Sequence, residues 1–367
     1  MHIAYIISTD ISVPSGILKK IESKIKYWKK FGYTVSVISL QSSSMVSLIE
    51  GGIILSKKKE EKFILNKFLN KFIIAKKLKK CLDEINPDII YIRFISGSPT
   101  LVPILTKYAP YIVEINTNDI EEFKSGKTSR YIINLLTRNY LLKNAKAFVS
   151  VSHELMSNDV FTKFKKDFIV IGNGYDFKNV INKKQFFNDN LKFIFIGTPN
   201  QPWHGTDKIL MLADNLKQHE FHIVGPTKND LNNNIKIGDN VIFHGYCNSS
   251  YLEELIPQCD IGISTLALHR NNMEEASPLK SREYLAYGLP IIIGYYDTDL
   301  LPSFQYALNI GNYENNIIDN ISEIDKFISF CSSINPSKVI ATSEKYLDYE
   351  AKEKVRIDFI SQYLKKS

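Results

Sequence analysis

The sequence has few cysteines and none of the patterns that cysteine forms in metal sites or disulfide frameworks. Cys81, Cys247, Cys259 and Cys331 are widely separated, and none belongs to a Cys-x-x-Cys pair or a His/Cys cluster. This spacing argues against a zinc site and against a disulfide-rich secreted scaffold. We therefore expect a reducing compartment.

Long hydrophobic runs are also lacking. No window approaches the roughly 20 apolar residues that a membrane-spanning helix needs. The first residues, His2 to Ile7, form a strand-like run with no basic segment before it, which is unlike a secretory signal peptide. We therefore expect a cytoplasmic protein whose contact with the inner membrane face is peripheral.

The length and the order of patterns indicate two α/β domains. The chain has 367 residues, and a single core rarely grows beyond about 250–300 residues. Short apolar runs alternate with amphipathic stretches, which predicts parallel sheets covered by helices. The strand candidates are Ile3–Ile7, Thr34–Ser39, Ile89–Arg93, Tyr111–Ile115, Ala147–Val151, Phe168–Ile171, Lys192–Ile196, Phe221–Val224, Val241–His244, Ile261–Ser264 and Pro290–Gly294.

A polar stretch divides the two halves. Residues 173–190 are rich in Asn, Lys, Asp and Gln, a composition typical of a linker. We expect an N-terminal domain over residues 1–172, a C-terminal domain over residues 185–345, and a final helix within residues 346–367.

The most informative segment follows the strand candidate Ile261–Ser264. Ser277 followed by Pro278 predicts a helix start, with serine as the N-cap and proline at the first helical position. Free N–H groups near Leu279 and Lys280 would then attract phosphate, and the lysine adds a full charge. The alternative is an amphipathic helix with solvated charges.

Two carboxylates flank that predicted phosphate site. Glu283 lies further along the helix, at a distance suited to the hydroxyls of a ribose, and Glu275 precedes the helix in the loop. Two carboxylates, a capped helix start and a lysine in one strand-end loop favour a nucleotide or phosphate ligand.

This segment resembles a known signature. Two glutamates separated by seven residues, followed by Tyr-Leu-Ala-x-Gly-x-Pro, resemble retaining glycosyltransferases of family 4, which have the GT-B fold. Further segments match in the same order: Asn173–Asp176, Gly197, Trp203–Asp207, His222–Pro226 and Val241–Tyr246. The resemblance covers most of residues 170–295 and is weak in residues 1–165.

The resemblance implies a fold and a set of roles. The fold would be α/β, of the GT-B type, with two Rossmann-like doubly wound domains facing a central cleft, and the terminal helix would pack back on the first domain. Glu283 would bind the ribose hydroxyls of a nucleotide sugar, and Glu275 would contact the transferred sugar. The remaining donor contacts would come from the Leu279 and Lys280 backbone, Ser277, Gly16, Gly225 and Tyr246.

The sequence departs from the family at the diphosphate. The family commonly has an arginine and a lysine where this chain has Thr198 and His204. Either Lys280 replaces them or backbone donors hold the diphosphate. His204 would contribute if it were protonated, because histidine titrates near neutrality; the alternative is a surface histidine in a loop.

The family often has a histidine near the donor sugar, but the matching loop here, residues 114–119, has none. Asn116 or Asp119 could bind sugar hydroxyls or assist acceptor deprotonation. Alternatively, Asp119 caps the following helix. The triplet Asp297-Thr298-Asp299 is interpreted as turn residues, and no metal is expected.

The charge is distributed unevenly. The net charge of +7 conceals 28 basic and 16 acidic residues in residues 1–180, against 18 basic and 23 acidic residues in the remainder. The basic residues concentrate in Lys19–Lys30 and Lys57–Lys80, which are interleaved with apolar residues. Such segments are attracted to anionic membranes. Nucleic acid is not expected, because no nucleic-acid module accompanies the charge.

We therefore expect a metal-independent, retaining glycosyltransferase that moves a sugar from a UDP- or GDP-sugar to a glycan or lipid-linked acceptor in cell-surface polysaccharide synthesis. Two alternatives remain open. One is a sugar-nucleotide epimerase of the same fold, and the other is a non-catalytic carbohydrate or membrane adaptor.

Overall fold

The computed structural model describes residues 1–58, 64–95, 99–124, 128–179, 190–231 and 237–364. The chain divides into two compact units, which we call unit 1 (residues 1–171 and 350–367) and unit 2 (residues 172–349). The division falls between Ile171 and Gly172, and residues 180–189 of the predicted linker lie outside the described residues. So do residues 59–63 of the second basic segment.

Unit 1 contains one parallel sheet of seven strands in the order β3-β2-β1-β4-β5-β6-β7. The strands are β1 (His2–Ile7), β2 (Thr34–Ser39), β3 (Ile53–Ile54), β4 (Ile89–Arg93), β5 (Tyr111–Ile115), β6 (Ala147–Ser150) and β7 (Asp167–Val170). The helices are α1 (Gly16–Lys30), α2 (Ile64–Ile85), α3 (Val102–Tyr108), α4 (Asp119–Lys124), α5 (Thr128–Asn144), α6 (His153–Ser157) and α7 (Asp159–Thr162).

Both faces of this sheet are buried, which explains the continuous apolar runs of its strands. Along β1, Ile3 and Tyr5 point into one core cluster, whereas Ala4 and Ile6 point into the other. The six strands predicted in this half are confirmed to within one or two residues at each end. The sequence analysis missed β3, a two-residue edge strand.

Unit 2 contains a six-stranded parallel sheet in the order β10-β9-β8-β11-β13-β15 and a two-stranded parallel pair, β12-β14. The strands are β8 (Lys192–Ile196), β9 (Glu220–Val224), β10 (Val241–Gly245), β11 (Ile261–Ile263), β12 (Glu275–Ala276), β13 (Ile291–Ile293), β14 (Tyr296–Asp297) and β15 (Ala307–Asn309). The helices are α8 (Thr206–Asn215), α9 (Ser249–Leu255), α10 (Leu279–Ala286), α11 (Ile321–Cys331) and α12 (Pro336–Leu347). The five strands predicted here are confirmed, whereas the sequence analysis missed β12, β14 and β15, which are two or three residues long and lack a buried apolar run.

The chain returns to unit 1 in its last helix. The sequence pattern predicted one helix from Tyr346, but α12 ends at Leu347 and α13 runs over Tyr349–Ile360, with Asp348 between them in a non-helical conformation. The helix α13 packs on the core that contains α1: Ile357 and Ile360 are buried there, and Trp28 Nε1 donates to Glu353 Oε2 at 2.8 Å.

Within the described part of the chain, every helix is too short or too polar to span a bilayer. The chain order reverses once in each large sheet, between β1 and β4 in unit 1 and between β8 and β11 in unit 2. At such a reversal the crossovers leave to opposite sides, which opens a crevice beyond the carboxyl ends of the strands. Each unit therefore has one position where its topology favours a ligand.

Candidate functional site

The crevice of unit 2 is bordered by loops that approach one another closely. The Gly197 N–H donates to Val224 O at 3.0 Å, and the Gly225 N–H donates to Gly245 O at 2.8 Å. Gly225 has a φ of +99°, and a Cβ there would lie 1.7 Å from the carbonyl oxygen of Gly197. Only glycine fits at this position, so Gly225 brings two strand-end backbones together.

Helix α10 begins beside this crevice, but not as the sequence predicts. Pro278 occupies the N-cap position and there is no side-chain cap. The Ser277 hydroxyl instead accepts a hydrogen bond from the Asn173 N–H at 2.6 Å, and its carbonyl accepts one from Asn173 Nδ2. The assignment of Ser277 as the N-cap is therefore wrong, because a partner 104 residues away in sequence engages the hydroxyl.

A buried arginine holds α10 in place. The Arg282 side chain is fully buried; its Nη2 donates to Asp297 Oδ1 and to Asp299 Oδ2, both at 2.7 Å, and its Nη1 donates to the other oxygen of Asp297. Its Nε donates to Asn173 O at 3.0 Å. Burial lowers the pKa of Arg282, but the two carboxylates outweigh burial and raise it above its ordinary value. The guanidinium is therefore permanently charged.

The sequence analysis missed Arg282. Asp297 and Asp299 were interpreted as turn residues, and both do lie in β14 and the turn after it, but the carboxylates also serve as the counter-ions of this arginine. An arginine within a run of buried helix positions is a signal that a buried acidic partner exists. The sequence does not say which acidic residue it is.

Hydrogen bonds also join α10 to the ends of the central strands. The Ser281 hydroxyl donates to Ser264 Oγ at 2.7 Å and lies 2.8 Å from the Tyr295 hydroxyl. The Ile196 N–H donates to the Tyr284 hydroxyl at 2.8 Å. Gly262 makes room for that ring, because a Cβ there would lie 2.3 Å from it. The position of α10 is thus fixed relative to β8 and β11.

Lys280, also in α10, carries a buried ammonium group. Its Nζ lies 4.1 Å from the centroid of the Phe195 ring, is buried, and has no hydrogen-bond partner among the described residues. Burial lowers the pKa of Lys280 to about 7. A cation–π contact offsets only part of the cost of burying an ammonium. The environment of Lys280 therefore favours binding of an anion.

His204 shares the Phe195 ring with Lys280, at 5.5 Å between ring centroids. Burial, and then the charge of Lys280, lower the pKa of His204 to about 3. The expectation that a protonated His204 adds charge to the site is therefore wrong. Thr198, at the other departure from the family pattern, is exposed, and its position in a donor site remains a prediction.

The two glutamates belong to different elements of unit 2. Glu283 lies in α10, where the Tyr175 hydroxyl donates to its Oε1 at 3.5 Å. Burial, and then Glu283, raise the pKa of Tyr175, so this hydroxyl stays protonated. Glu275 lies in β12, paired with Tyr296 in β14. Their roles toward a ribose and a sugar remain predictions.

The other donor candidates occupy separate places. Leu279 is the first residue of α10, and Tyr246, after β10, is 91% exposed. Gly16 is the first residue of α1, where the Ser15 hydroxyl caps the helix by accepting from the Leu18 N–H at 3.1 Å.

Asp119 is not available for chemistry. It is buried, and Arg138 binds both of its oxygens, through Nε at 2.7 Å and Nη2 at 2.8 Å, while Asn134 Nδ2 donates to Oδ2 at 2.6 Å. The helix-capping role predicted as the alternative is also wrong, because Asn118 Oδ1 accepts from the Ile120 N–H. Both predictions missed a partner nineteen residues away.

Asn116 remains a candidate. Its Oδ1 accepts from Lys20 Nζ at 3.0 Å, and its Nδ2 is buried with no hydrogen-bond partner among the described residues. Across the same described residues, no group of three or more His, Cys, Asp or Glu side chains is arranged to hold a metal ion.

The sequence matches two related family descriptions. Residues 2–152 match "Glycosyl transferase 4-like", and residues 190–300 match "Glycosyl transferases group 1". The two matches lie in unit 1 and unit 2 respectively. No curated protein sequence matches the chain significantly.

Solved structures with similar folds align along almost the whole chain. Sucrose-phosphate synthase of Thermosynechococcus elongatus has a TM-score of 0.73 at 11% identity, covering 98% of each chain. HepE of Anabaena, solved with UDP and glucose, has a TM-score of 0.69 at 13% identity, covering 99% of this chain and 100% of its own. A glycosyltransferase of Rickettsia africae has a TM-score of 0.66 at 18% identity, covering 100% and 99%. At these identities the likeness shows the fold.

Replacing Arg282 by methionine should destabilise unit 2. The variant leaves Asp297 and Asp299 buried without a counter-ion, and breaking a buried pair costs about 3–5 kcal/mol of the free energy of unfolding. Chemical denaturation followed by circular dichroism measures it. Lys326→Met, which removes a cation from an exposed pair, is the control and should change stability by less than about 1 kcal/mol. Equal stability of the two variants would contradict the role of Arg282.

Anion binding at Lys280 should weaken as the pH rises. Because the pKa of Lys280 is about 7, the ammonium is protonated below pH 7 and neutral above it. Sulfate is the probe because its charge does not change across this range. The part of its affinity that depends on Lys280 should be constant below pH 7 and fall about tenfold per pH unit above it. Titration calorimetry of the wild type and of Lys280→Met isolates this part. The same pH profile in both proteins would rule it out.

Proposed function

Because the chain is a GT-B glycosyltransferase that resembles family 4, we propose that it transfers a sugar from a nucleotide sugar to a glycan or lipid-linked saccharide, with retention at the anomeric carbon. The observation that carries the donor proposal is the buried ammonium of Lys280, which lacks a hydrogen-bond partner among the described residues. The UDP and glucose bound to HepE favour a UDP-sugar as the donor.

In this proposal unit 2 binds the donor. The diphosphate binds at Lys280 and at the backbone N–H groups at the start of α10, where the helix dipole favours negative charge. Glu283 accepts hydrogen bonds from the ribose and Glu275 from the transferred sugar. Gly225 and Tyr246 lie after the strands that border the base.

The chemistry that these residues supply is stabilisation of the leaving group. When the bond from the anomeric carbon to the diphosphate breaks, negative charge grows on the phosphate oxygens, and a cation placed there in advance lowers the barrier. The acceptor oxygen then bonds to the anomeric carbon on the face that the diphosphate leaves. The departing diphosphate takes the proton of that acceptor hydroxyl. The sequence predicts that Asn116 of unit 1 binds sugar hydroxyls; we propose that its amide donates to the acceptor substrate.

The proposed reaction uses no metal ion. In glycosyltransferases that need a metal, a pair of acidic side chains holds it on the diphosphate. Asp297 and Asp299 form the Asp-x-Asp triplet of this chain, and Arg282 binds both carboxylates. Lys280 supplies the compensating charge instead.

We further propose that unit 1 binds an anionic membrane, as a peripheral protein on the cytoplasmic face that acts in cell-surface polysaccharide synthesis. By sequence, unit 1 has 32 basic and 18 acidic residues, whereas unit 2 has 14 and 21. Lys20 and Lys24 of the first basic segment are buried. The proposed membrane surface therefore excludes them and uses the exposed lysines of unit 1.

Exposed apolar side chains accompany the exposed lysines of unit 1. In α2, Phe72 is 60% exposed, with Leu69 and Ile73 also above half, and in α5 Leu136 is 77% exposed. Both helices pack against α3. Apolar side chains next to lysines fit a bilayer surface, where the former insert and the latter meet the anionic headgroups.

Donor binding tests the catalytic proposal. Lys280→Met should lower the affinity for UDP-glucose, or for whichever nucleotide sugar binds in a panel, by about 10- to 100-fold, because a hydrogen bond to a charged group is lost. Calorimetry in EDTA measures it, and product analysis after incubation with donor alone identifies an epimerase. Lys192→Met, which removes the cation of a half-exposed ion pair with Glu220 in unit 2, should bind like the wild type. Near-wild-type binding by Lys280→Met would contradict the proposed site.

Vesicle flotation tests the membrane proposal. The protein should float with phosphatidylglycerol vesicles at low salt and not with phosphatidylcholine vesicles. Phe72→Ser and Leu136→Ser should each weaken binding about tenfold, because each removes a large side chain from the bilayer. Ile318→Ser, an equally exposed position of unit 2, should have no effect. Absence of binding to both vesicles would end this proposal.

A further inference from the structure

Unit 1 contains a buried cluster in which cations outnumber anions. Glu114, in β5, is 1% exposed and is approached by three cations: Lys24 Nζ at 2.8 Å, Lys20 Nζ at 3.4 Å and Arg93 Nη1 at 3.7 Å. Both lysines come from α1, and Arg93 is the last residue of β4. One carboxylate therefore faces three positive charges.

Lys24 is the structural partner of this carboxylate. Its Nζ donates to Glu114 Oε2, to which the Tyr5 hydroxyl also donates at 3.2 Å, and it lies 5.4 Å and 5.3 Å from the ring centroids of Tyr5 and Tyr91. Three features thus stabilise the Lys24 ammonium: an ion pair and two aromatic rings. The ion pair with Lys24 therefore neutralises the charge of Glu114.

The neighbouring ion pair does not balance the remainder. Arg356 Nε donates to both oxygens of Glu353, and Arg356 Nη1 donates to the Tyr91 hydroxyl at 3.1 Å. Trp28 Nε1 donates to the same glutamate. This pair is neutral by itself, so it does not offset the cations that surround Glu114.

The buried cluster lowers the pKa of both lysines. Burial outweighs Glu114 and, with the neighbouring cations, lowers the pKa of Lys20 well below its ordinary value, while the pKa of Lys24 falls to about 8. The three cations overcome burial and hold the pKa of Glu114 well below its ordinary value, so it stays ionised. The cluster is short of negative charge, not of positive charge.

The excess lies where the topology of unit 1 favours a ligand. Arg93 ends β4, Glu114 and Asn116 are at the end of β5, and Lys20 is on the helix that follows β1, so they border the crevice at the reversal of strand order between β1 and β4. Arg93 Nη1 and Asn116 Nδ2 are buried donors with no hydrogen-bond partner among the described residues. Two buried donors without a partner therefore lie at this crevice, beside a cluster in which cations outnumber carboxylates.

We propose that this crevice of unit 1 binds a phosphoryl group carried by the acceptor, through Arg93, Lys20 and Asn116. A phosphoryl group carries about −1.5 to −2 charges at neutral pH and has three acceptor oxygens, so it can accept from Arg93 Nη1 and Asn116 Nδ2 together, and its charge favours the protonated form of Lys20. The Arg93 side chain is 18% exposed, so the group reaches it from solvent. The assignment to the acceptor rests on the proposed function, in which the phosphates of the donor bind at Lys280 in unit 2.

Inorganic phosphate is the probe, and Lys280→Met is the parent protein, because it removes the phosphate contact proposed in unit 2. Phosphate at constant ionic strength should raise the melting temperature of this parent, since a ligand that binds only the native state stabilises it. Adding Arg93→Met or Lys20→Met should weaken phosphate binding about tenfold or more, because each removes a charged hydrogen bond. Arg93→Lys should retain most of the effect, and Lys143→Met, at an exposed position of unit 1, should retain all of it.

The same series shows whether Arg93 serves structure alone. Without phosphate, Arg93→Met should melt at the temperature of the parent or above it, because it removes repulsion between buried cations. A lower melting temperature without phosphate, or an equal phosphate effect in the parent and in both added variants, would overturn the proposal. Failure of this proposal is separable from failure of the proposed function. If the proposed function holds, Arg93→Met in the otherwise wild-type chain should still bind UDP-glucose.

Transfer assays identify the source of the phosphoryl group. Glucose 1-phosphate represents a free phosphate ester, and a polyprenyl-diphosphate sugar in mixed micelles represents a lipid-linked one. At least one of them should be a better acceptor than its uncharged counterpart, and Arg93→Met should abolish that preference. Equal use of charged and uncharged acceptors by the wild type would overturn the proposal.

Discussion

The ion pairs of Arg282 are the interaction on which unit 2 depends. One buried guanidinium joins α10 to Asp297 and Asp299 after β13 and to the backbone of Asn173 at the start of the unit. Removing a charge from water is costly unless every donor is satisfied, and the described partners take up Nε, Nη1 and Nη2. The first turn of α10 is therefore held at the carboxyl ends of β8 and β11, beside the loops of Gly197 and Gly225.

Each unit contains a buried cation that is hydrogen-bonded to a carboxylate and another cation with a buried nitrogen that lacks a hydrogen-bond partner among the described residues. Arg282 in unit 2 and Lys24 in unit 1 have carboxylate partners within hydrogen-bond distance, and they position the elements that carry them. Lys280 rests on an aromatic ring without such a partner, and Arg93 lies 3.7 Å from a carboxylate that Lys24 already engages. Since an unpaired buried charge is costly, these two positions are where we propose that anions bind.

The uneven charge of the chain follows the same division. Unit 1 is strongly basic and unit 2 is acidic, and part of the basic excess lies inside unit 1 and not on its surface. The sequence does not distinguish Lys20 and Lys24 from the exposed lysines of α1. Lysines and apolar residues are interleaved throughout this amphipathic helix. Their burial follows from Glu114, a charged residue within an otherwise apolar central strand. A count of charges from the sequence therefore overstates the positive charge on the surface of unit 1.

The sequence by itself determined the parallel α/β architecture and the order of its main strands, because strands buried on both faces need continuous apolar runs and leave a pattern that local inspection detects. It also determined which loop of unit 2 carries the family signature, since Glu275, Lys280 and Glu283 are close in sequence. Only the tertiary structure decided the states of Ser277, Asp119 and His204. Their partners, Asn173, Arg138 and the Phe195 ring, come from other elements, and burial changes the free energy of a charge by amounts that no local pattern records.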